Sequence, residues 1–437
     1  MRISLLVSGL LMLAVGWCRA QVCGCTDSLA INYNADATIN DGSCLYDSAI
    51  INASMIGILD SVLDGTSTLL YWNNDYWTYN DHDDWRLYRI DNSDATIQET
   101  LFFKGIQNED TEEITQDSLY LYFGDIGNNI CGCRQNLRIL RVSKNRLFGE
   151  TKVDTILFSY EDQTDFTELP VNSTDFDCEA FVVTDDSIYL FTKQWISKQT
   201  TIYSIPKTPG THIAHRRETY NTQGLVTGAT YLPEYQLIVL CGYDYGGFLN
   251  SLHPFILLLY DFQGNDFFSG NKRRLDFEPM EKAQIEAIAT PNALDYYITN
   301  EHFSGFYMGM LTINIPAKLQ LLDLRDYLLP YLSGFPNFVD IPLDSIPHPN
   351  AIPDPRPDTE RFVLYPNPAK DKLHIDYPQE FWGAEYAIFN LSGQRVADGV
   401  LDGNVISIGN RTMPVGQYVL TIRKNKSLKT MLFVKQE

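Results

Sequence analysis

Acidic side chains recur at similar places in the central region of the chain, residues 50–330, and are its best candidates for chemistry. Carboxylates brought together in a dry site cannot all stay ionised, so they take up protons or bind a cation. Calcium suits such oxygen ligands, and bound calcium can polarise a substrate oxygen. We therefore expect a ligand-binding site that contains Asp81, Asp110, Glu112, Asp125, Asn128, Asp177, Glu179, Glu286, Asn300 and Glu301.

Two kinds of role are open to these residues. A calcium-dependent hydrolase would use Asp125, Glu179 and Glu301 as metal ligands and His82 or His302 as general base. The structural alternative is that Asp, Asn and Gly form turns while glutamates hold neighbouring backbone amides. The nucleophile and phosphate-loop motifs G-x-S-x-G, H-E-x-x-H and G-x-x-x-x-G-K-[ST] do not occur in the sequence.

The spacing of the acidic residues predicts which elements position them. A short motif that begins with an acid or a glycine precedes a polar pair by 11 to 14 residues, and an apolar, strand-like run lies between the two. The motifs are Glu113-Ile114, Glu179-Ala180, Gly228-Ala229 and Glu286-Ala287, and their pairs are Gly124-Asp125, Thr192-Lys193, Gly242-Tyr243 and Asn300-Glu301. Gly228 takes the place of the acid in one copy.

These copies start about 50 to 65 residues apart and each carries several strands, which is typical of β-propeller blades. A weaker fifth copy begins at Leu69, and the two ends of the region could form a sixth blade. The amphipathic helices of an α/β fold are absent from the sequence pattern. We therefore predict an all-β fold, a propeller of five or six blades, with the carboxylates at one mouth of its central channel.

Four blocks in this region resemble a family of secreted bacterial propellers with the motifs HNDxGD, NDWED[IL]A, GD[IN]GDN and D[AC]EAL. The blocks are residues 79–84, 108–114, 124–129 and 177–181. Thr111 stands in place of the family tryptophan and Asn128 in place of its second aspartate, which weakens any family metal site here. The resemblance covers about half of the region and supports the fold. Propeller hydrolases such as lactonases and phytases place calcium at the channel mouth, which is the chemistry of the hydrolase alternative.

Composition limits the partners of the protein. The 437 residues carry a net charge of −22, which disfavours nucleic acid and anionic membrane surfaces as ligands. Arg2 and the apolar run 3–17 read as a signal peptide, residues 1–20, cut before Gln21. The alternative is a lipoprotein acylated at Cys18. No later run is long enough for a membrane-spanning helix, so we expect an exported protein without a transmembrane segment.

Residues 21–46 resemble a short module of secreted Bacteroidetes-type proteins, GCTDxxAxNYxxxAxxxDGSC. So short a segment cannot stabilise itself by apolar burial, so we expect a Cys25–Cys44 disulfide. The alternating oxygens of Asn34, Asp36, Thr38 and Asn40 suit either a calcium loop or plain Asx turns.

Other cysteines lie in the central region. Neighbouring blades would bring Cys178 close to Cys131 and Cys133, so we expect one of that pair to bridge Cys178, and we assign Cys133 to this disulfide. Cys241 lies in an apolar run and is expected to be a buried free thiol.

The C-terminal part begins after a proline-rich linker, residues 331–361. From Phe362 onward the blocks FVLYPNPA, YAIFN, SGQRV, PVGQY and a final FVK resemble the type A C-terminal sorting domain of the type IX (Por) secretion system. The resemblance implies a partner, the type IX secretion machinery, and delivery through the periplasm to the cell surface or medium. Short strands between Gly/Asn turns independently predict a small, Ig-like β-sandwich over residues 362–437, for which an adhesion or spacer role is the alternative.

The predicted function is that of an exported propeller that binds an extracellular ligand, a glycan or a protein. The alternative is the calcium-dependent hydrolase, so the sequence leaves open whether the protein is an enzyme and names calcium as its one candidate cofactor. An aromatic cluster between two strands suits either a sugar-stacking platform or core packing. It comprises Tyr71, Trp72, Tyr76, Trp77, Tyr79 and Trp85.

Overall fold

The computed structural model describes residues 21–81, 84, 86–102, 108–144, 153–246, 251–278, 283–307, 311–345, 362–365, 369–377, 381–390, 394–403, 405–409, 413–424 and 427–436. These residues form an all-β protein, as predicted. The chain divides into two compact units, one up to Pro349 and one from Asn350 onward. The predicted signal peptide, Trp85 and His82 lie outside the described residues.

The N-terminal module consists of two short parallel strands, β1 (Cys23–Gly24) and β2 (Ile39–Asn40). The predicted Cys25–Cys44 disulfide is confirmed. The candidate calcium loop is built from turn contacts: Asn34 Oδ1 accepts from the Asp36 nitrogen at 3.0 Å, and Asn40 Oδ1 accepts from the Gly42 nitrogen at 3.0 Å. These are Asx turns, which is the structural alternative.

Polar contacts join this module to the rest of the first unit. Asp27 Oδ2 accepts hydrogen bonds from the hydroxyls of Tyr46 at 2.8 Å and Tyr260 at 2.5 Å. The Arg273 guanidinium lies between the rings of Tyr46 and Tyr327, at 4.8 and 4.7 Å from their centroids. The module is therefore fixed to the unit by a partly buried network of hydrogen bonds and cation–π contacts.

Two strands, β3 (Ala49–Ile51) and β4 (Ser54–Ile58), follow the module, and a 3₁₀-helix spans Ser61–Leu63. Apart from one separate hairpin, the remaining strands of the first unit form five sheets whose consecutive strands are antiparallel. The first contains β5 (Thr66–Trp72), β6 (Asp75–Asn80), β7 (Arg86–Ile90) and β8 (Ile97–Phe102). The second contains β9 (Thr111–Gln116), β10 (Tyr120–Asp125), β11 (Arg138–Ser143) and β12 (Val153–Tyr160). The third contains β13 (Asp177–Val183), β14 (Ser187–Lys193), β15 (Thr200–Pro206) and β16 (Gly210–Tyr220).

The fourth and fifth sheets each include a strand from the beginning of the unit. The fourth contains β17 (Leu225–Leu232), β18 (Leu237–Gly246), β19 (Ser251–Tyr260) and β20 (Asn271–Phe277), with β3 parallel to β20. The fifth contains β21 (Ile285–Ala289), β22 (Asp295–Asn300) and β25 (Lys318–Asp323), with β4 antiparallel to β25. A separate hairpin, β23 (Phe303–Tyr307) and β24 (Leu311–Ile315), lies between β22 and β25.

The first strands of the five sheets form a closed ring. β5 contacts β9, β9 contacts β13, β13 contacts β17, β17 contacts β21, and β21 contacts β5 again. At the outer edge, β12 and β16 pair in parallel and join the second and third sheets into one sheet of eight strands. The ring is thus closed by side-chain packing at the centre and partly by strand pairing at the rim.

The apolar core is divided among the five junctions between neighbouring sheets. Each junction buries its own hydrophobic cluster; Leu70 and Trp77 of the first sheet, for example, pack with Leu121 and Phe123 of the second. The other four junctions are built in the same way. Because every sheet packs on both faces, β13 and β21 are buried along their whole length instead of alternating between core and solvent.

The predicted aromatic cluster belongs to two of these junctions. Trp77 and Tyr79 are buried between the first and second sheets, and Tyr76 is buried between the first and fifth, where its ring lies 4.4 Å from that of Tyr297. Tyr71 and Trp72 are partly buried against the same clusters. Core packing, the second of the two interpretations, therefore accounts for the described members of the cluster.

The prediction of a disulfide between Cys133 and Cys178 is wrong. Cys133 is bonded to Cys131, and Cys178 is a buried free thiol whose Sγ donates towards the carbonyls of Ala180 and Phe191. The Cys178 side chain is buried in the junction between the second and third sheets. Cys241 is free and fully buried, as predicted.

One α-helix, α1 (Arg325–Leu332), follows β25 in the described part of the chain. It buries Leu328 and Leu332 against the junction of the fourth and fifth sheets. Residues 331–345, the described part of the predicted linker, continue in the same unit, and Phe335 and Phe338 pack around Tyr235.

The second unit contains two sheets around one core. Its strands are β26 (Val363–Tyr365), β27 (Lys372–Asp376), β28 (Glu385–Asn390), β29 (Arg395–Val400), β30 (Val405–Ser407), β31 (Gly416–Lys424) and β32 (Ser427–Lys435). One sheet has the order β26-β27-β30 and the other β29-β28-β31-β32. Leu373, Ile388 and Leu420 are fully buried between them.

Candidate functional site

Every first strand of the five sheets carries a β-bulge near its beginning. In each pair of first and second strands the register shifts by one residue, which leaves one residue of the first strand without a partner. A bulge redirects the side chain of the extra residue and is frequent next to functional sites. The five bulge residues are Ser67, Glu112, Glu179, Thr227 and Glu286.

This alignment corrects the repeat predicted from the sequence. Glu112, not Glu113, is equivalent to Glu179 and Glu286, and Thr227, not Gly228, takes the place of the acid in the fourth sheet. The predicted motifs were therefore displaced by one residue in two of the sheets. Three of the five equivalent positions hold a glutamate.

Glu113 instead anchors the ring. Its Oε1 accepts hydrogen bonds from the Thr68 hydroxyl and the Ile114 nitrogen, both at 2.9 Å, and its Oε2 accepts from the Ala229 nitrogen at 3.0 Å. Burial raises the pKa of the Glu113 carboxyl to about 8. This glutamate has the backbone-holding role of the structural alternative.

The two hydroxyl-bearing bulge residues also connect neighbouring sheets. Ser67 donates to the carbonyl of Thr111 at 2.9 Å, and Thr227 donates to the carbonyl of Ile285 at 2.5 Å. The hydroxyls of both residues therefore hold neighbouring first strands together. Among the described residues the three glutamates have no backbone partner of this kind; the charge of Glu179 acts on Glu112, and that of Glu286 acts on Glu179.

Lys193 lies among the glutamates. It ends β14, is 3% exposed, and its Nζ contacts Glu179 Oε2 and lies 4.0 Å from Glu286 Oε2. The ammonium also lies over the rings of Trp195 and Tyr243, at 4.9 and 5.1 Å from their centroids. Burial disfavours this ammonium, but the two carboxylates outweigh burial and raise the pKa of Lys193 well above its ordinary value.

Asp110 and Glu112 form the next part of the cluster. A Cβ placed at Gly127 would lie 2.3 Å from Asp110 Oδ2 and 2.4 Å from Glu112 Oε1, so both carboxylates converge on this glycine. Glu112 is 8% exposed. Within the part of the chain that the structure describes, its carboxylate has no hydrogen bond and no ion pair. Burial and the charge of Glu179 raise the pKa of Glu112 well above its ordinary value.

Glu301 and Asp81 complete the cluster. Glu301 follows β22, the second strand of the fifth sheet, and Asp81 follows β6, the second strand of the first sheet. Burial, and then the charge of Asp81, raise the pKa of Glu301 to about 8. Burial raises the pKa of Glu286 to about 8 and that of Asp110 to about 7. The cluster therefore holds protons near neutral pH.

The structure brings six predicted site residues into this cluster, which we call the acidic ring. Its members are Asp81, Asp110, Glu112, Glu179, Glu286 and Glu301. They come from the first, second, third and fifth sheets. Lys193 is its central cation.

Four other predicted site residues support the loops around the acidic ring. Asp125 pairs with Arg134 at 2.7 Å and Arg138 at 2.6 Å. Asp177 accepts from the Asn128 nitrogen at 2.7 Å and from Trp195 Nε1 at 2.8 Å. The Asn128 amide donates to the carbonyl of Phe176 at 3.1 Å, and the Asn300 amide donates to the carbonyls of Glu301 and Pro316 at 2.8 and 3.0 Å.

Two of the predicted metal ligands pair with basic side chains. Asp125 is neutralised by two arginines and Glu179 by Lys193. Among the described residues, no three His, Cys, Asp or Glu side chains are arranged to hold a metal ion. His302 contacts Asn314 Oδ1 at 2.7 Å, outside the acidic ring.

Sequence reasoning missed Lys193, Trp195 and Tyr243 as site residues. Lys193 and Tyr243 already stood in the predicted polar pairs, at the position that Glu301 and Asp81 occupy in the fifth and first sheets. A lysine at a position that holds an acid in two other sheets was the available signal.

Comparisons with known proteins identify one domain. Residues 363–436 match the family described as the secretion system C-terminal sorting domain. Among curated proteins, none matches the chain.

Several solved structures are weakly similar. PorZ, an essential bacterial surface component of the type IX secretion system of Porphyromonas gingivalis, is 13% identical, with 85% of this chain and 45% of that chain covered and a TM-score of 0.31. The extracellular domain of a hybrid two-component system from B. thetaiotaomicron is 9% identical, with coverages of 90% and 59% and a TM-score of 0.28. Drosophila semaphorin 1b, extracellular domains 1–2, is 9% identical, with coverages of 89% and 80% and a TM-score of 0.29. The chain spans less than half of the PorZ chain, and likenesses this weak carry no argument about function.

In the described ranges no helix is long and apolar enough to cross a membrane. The sorting domain at residues 363–436 shows that this chain is exported through the type IX secretion system to the cell surface or the extracellular space.

Proposed function

We propose that the five sheets of the first unit are the blades of a five-bladed β-propeller. The closed ring of first strands supports this, as does the bulge at the same position in all five sheets. The acidic ring then lies at one mouth of the central channel, where first strands begin and second strands end. The two sheets of the second unit are, in this proposal, an Ig-like sandwich.

The exported propeller binds an extracellular ligand at the acidic ring. The observation that carries this function is Glu112: its carboxylate is buried, points to the same place as Asp110, and has no partner in the described residues. An unpaired buried carboxylate costs stability. A site that is incomplete without an added group is what a binding protein requires.

Binding is favoured over calcium-dependent hydrolysis because of how the carboxylates are used. Calcium needs six to eight oxygens at about 2.3–2.6 Å. Two of the three predicted ligands, Asp125 and Glu179, already neutralise basic side chains. These two carboxylates are therefore not available as ligands for that ion.

The test is a binding screen with the mature, full-length chain on glycan and peptide arrays. Wild type should retain a ligand that the Glu112→Gln/Glu301→Gln double variant loses. Glu234→Gln is the matched control, since Glu234 is exposed and follows β17 at the end opposite Thr227. Equal retention of every ligand by a folded double variant would refute a binding site at the acidic ring.

A further inference from the structure

One alkylammonium group, the Lys193 side chain, already lies within the acidic ring. The Lys193 ammonium is satisfied there by the carboxylates of Glu179 and Glu286 and by the faces of two aromatic rings. Both kinds of contact are favourable for an alkylammonium ion in a dry site. In this half of the acidic ring the carboxylates already have a cationic partner, Lys193.

The Asp110 and Glu112 side of the acidic ring has no such ammonium in contact with it among the described residues. A Cβ placed at Gly127 would lie 2.3 Å from Asp110 Oδ2 and 2.4 Å from Glu112 Oε1, so the two carboxylates converge on one place. Arg134 approaches Asp110 only to 3.9 Å. Its guanidinium is already held by Asp125 and by the Gly127 carbonyl, both at 2.7 Å. No other described basic side chain forms an ion pair with Asp110 or Glu112.

The missing group is better described as an ammonium than as a metal ion. An ammonium has three donors that need acceptors only at hydrogen-bond distance. A calcium ion needs its oxygens much closer together, and the described residues contain no such group of three. The carboxyl groups of Asp110 and Glu112, which converge on one place, supply acceptors for such donors.

We propose that Asp110 and Glu112 form a receptor site for an alkylammonium group of the ligand. This inference rests on the proposed function, because it names the ligand class of the same site. Two sources share this chemistry: the lysine side chain of an extracellular peptide and a free diamine. On binding, the ammonium replaces protons that the acids hold, so protons are released. The groups facing the site are Asp81, Asp177, Glu179, Lys193, Glu286 and Glu301, with Arg134 at its edge.

Isothermal titration calorimetry of the mature chain at pH 7.5 tests this directly. The probes are 1,5-diaminopentane, a short peptide with one internal lysine, and the same peptide with that lysine acetylated. At least one of the first two should bind, and its apparent enthalpy should differ between phosphate and Tris buffers because protons are released. The acetylated peptide should not bind. Binding of the diamine alone indicates a free amine as ligand, and binding of the peptide alone indicates a protein lysine.

Variants distinguish binding at the acidic ring from nonspecific attraction of the amine to the acidic protein surface. Glu112→Gln should weaken binding at least tenfold and reduce the proton release, whereas Glu234→Gln should change neither. Asp110→Asn is the second variant if Glu112→Gln does not fold, and circular dichroism melts check both.

Three results overturn the inference. The acetylated peptide binds as tightly as the peptide with free lysine, neither the diamine nor the lysine peptide binds, or calcium competes with the amine at the site. In each case the array screen still decides the proposed function, because a ligand lost by the Glu112→Gln/Glu301→Gln variant would establish binding without an ammonium.

Discussion

The Glu113 carboxylate of the second sheet accepts a hydrogen bond from the Ala229 nitrogen of the fourth sheet, 3.0 Å away. The same carboxylate also binds Thr68 of the first sheet. One side chain therefore connects three sheets across the ring of first strands, and the third sheet is bypassed.

Truncating this side chain should be costly. Glu113→Ala leaves the Thr68 hydroxyl and the Ala229 nitrogen without their acceptor, whereas the Ile114 nitrogen still donates to the Thr68 hydroxyl oxygen at 2.9 Å. Each buried, unsatisfied group costs about 1–3 kcal/mol, so we expect urea unfolding to show a loss of at least about 2 kcal/mol. Glu113→Gln keeps one carbonyl acceptor and should lose less. Equal stability of wild type and Glu113→Ala would contradict the anchoring role.

Stability should fall as the pH rises from about 5 to about 8. Burial raises the carboxyl pKa of Glu286 and Glu301 to about 8 in the folded state, whereas unfolded glutamates titrate near 4.3. Between these values the folded state binds more protons than the unfolded state, so the free energy of unfolding decreases with pH. The expected fall in melting temperature is on the order of 5 °C.

The variant that tests this pH dependence is Glu286→Gln/Glu301→Gln, measured against Glu234→Gln. Removing two buried ionisable groups should flatten the curve of melting temperature against pH, and the exposed control should reproduce the wild-type curve. A wild-type melting temperature that stays constant over this range, or rises, would show that the acids ionise freely.

The disulfides can be checked by peptide mapping without reduction. We expect Cys25 linked to Cys44, Cys131 linked to Cys133, and Cys178 and Cys241 unmodified by thiol reagents until the protein unfolds. Cys25→Ser/Cys44→Ser should cost roughly 3 kcal/mol of stability in the chain-entropy model. It should also increase amide hydrogen exchange over residues 21–46. A Cys178 disulfide in the map would contradict the structure.

Export should depend on the second unit. In a bacterium with the type IX system, deletion of residues 362–437 should leave the first unit folded in the periplasm, since that unit has its own core. Immunoblots of periplasm and medium measure this. A variant with substitutions confined to the acidic ring should still be exported, and release of the deletion variant at the wild-type level would remove the sorting role.

Sequence periodicity was sufficient for the strands and for their repetition, since each apolar run between a motif and its polar pair became a second strand. It was not sufficient for the bulges. One extra residue changes which of two adjacent glutamates reaches the acidic ring, and Glu112 and Glu113 are chemically identical in the sequence. The direction of Cys178 was missed for a similar reason: a strand buried on both faces has no polar face to reveal its register.

The pairing of β4 with β25 has a consequence for biogenesis. The two strands are more than 200 residues apart, so the fifth sheet acquires its outer strand only after nearly the whole first unit has been synthesised. Until then β4 lacks its partner β25, and the growing chain exposes an open strand edge to proteases and to other chains.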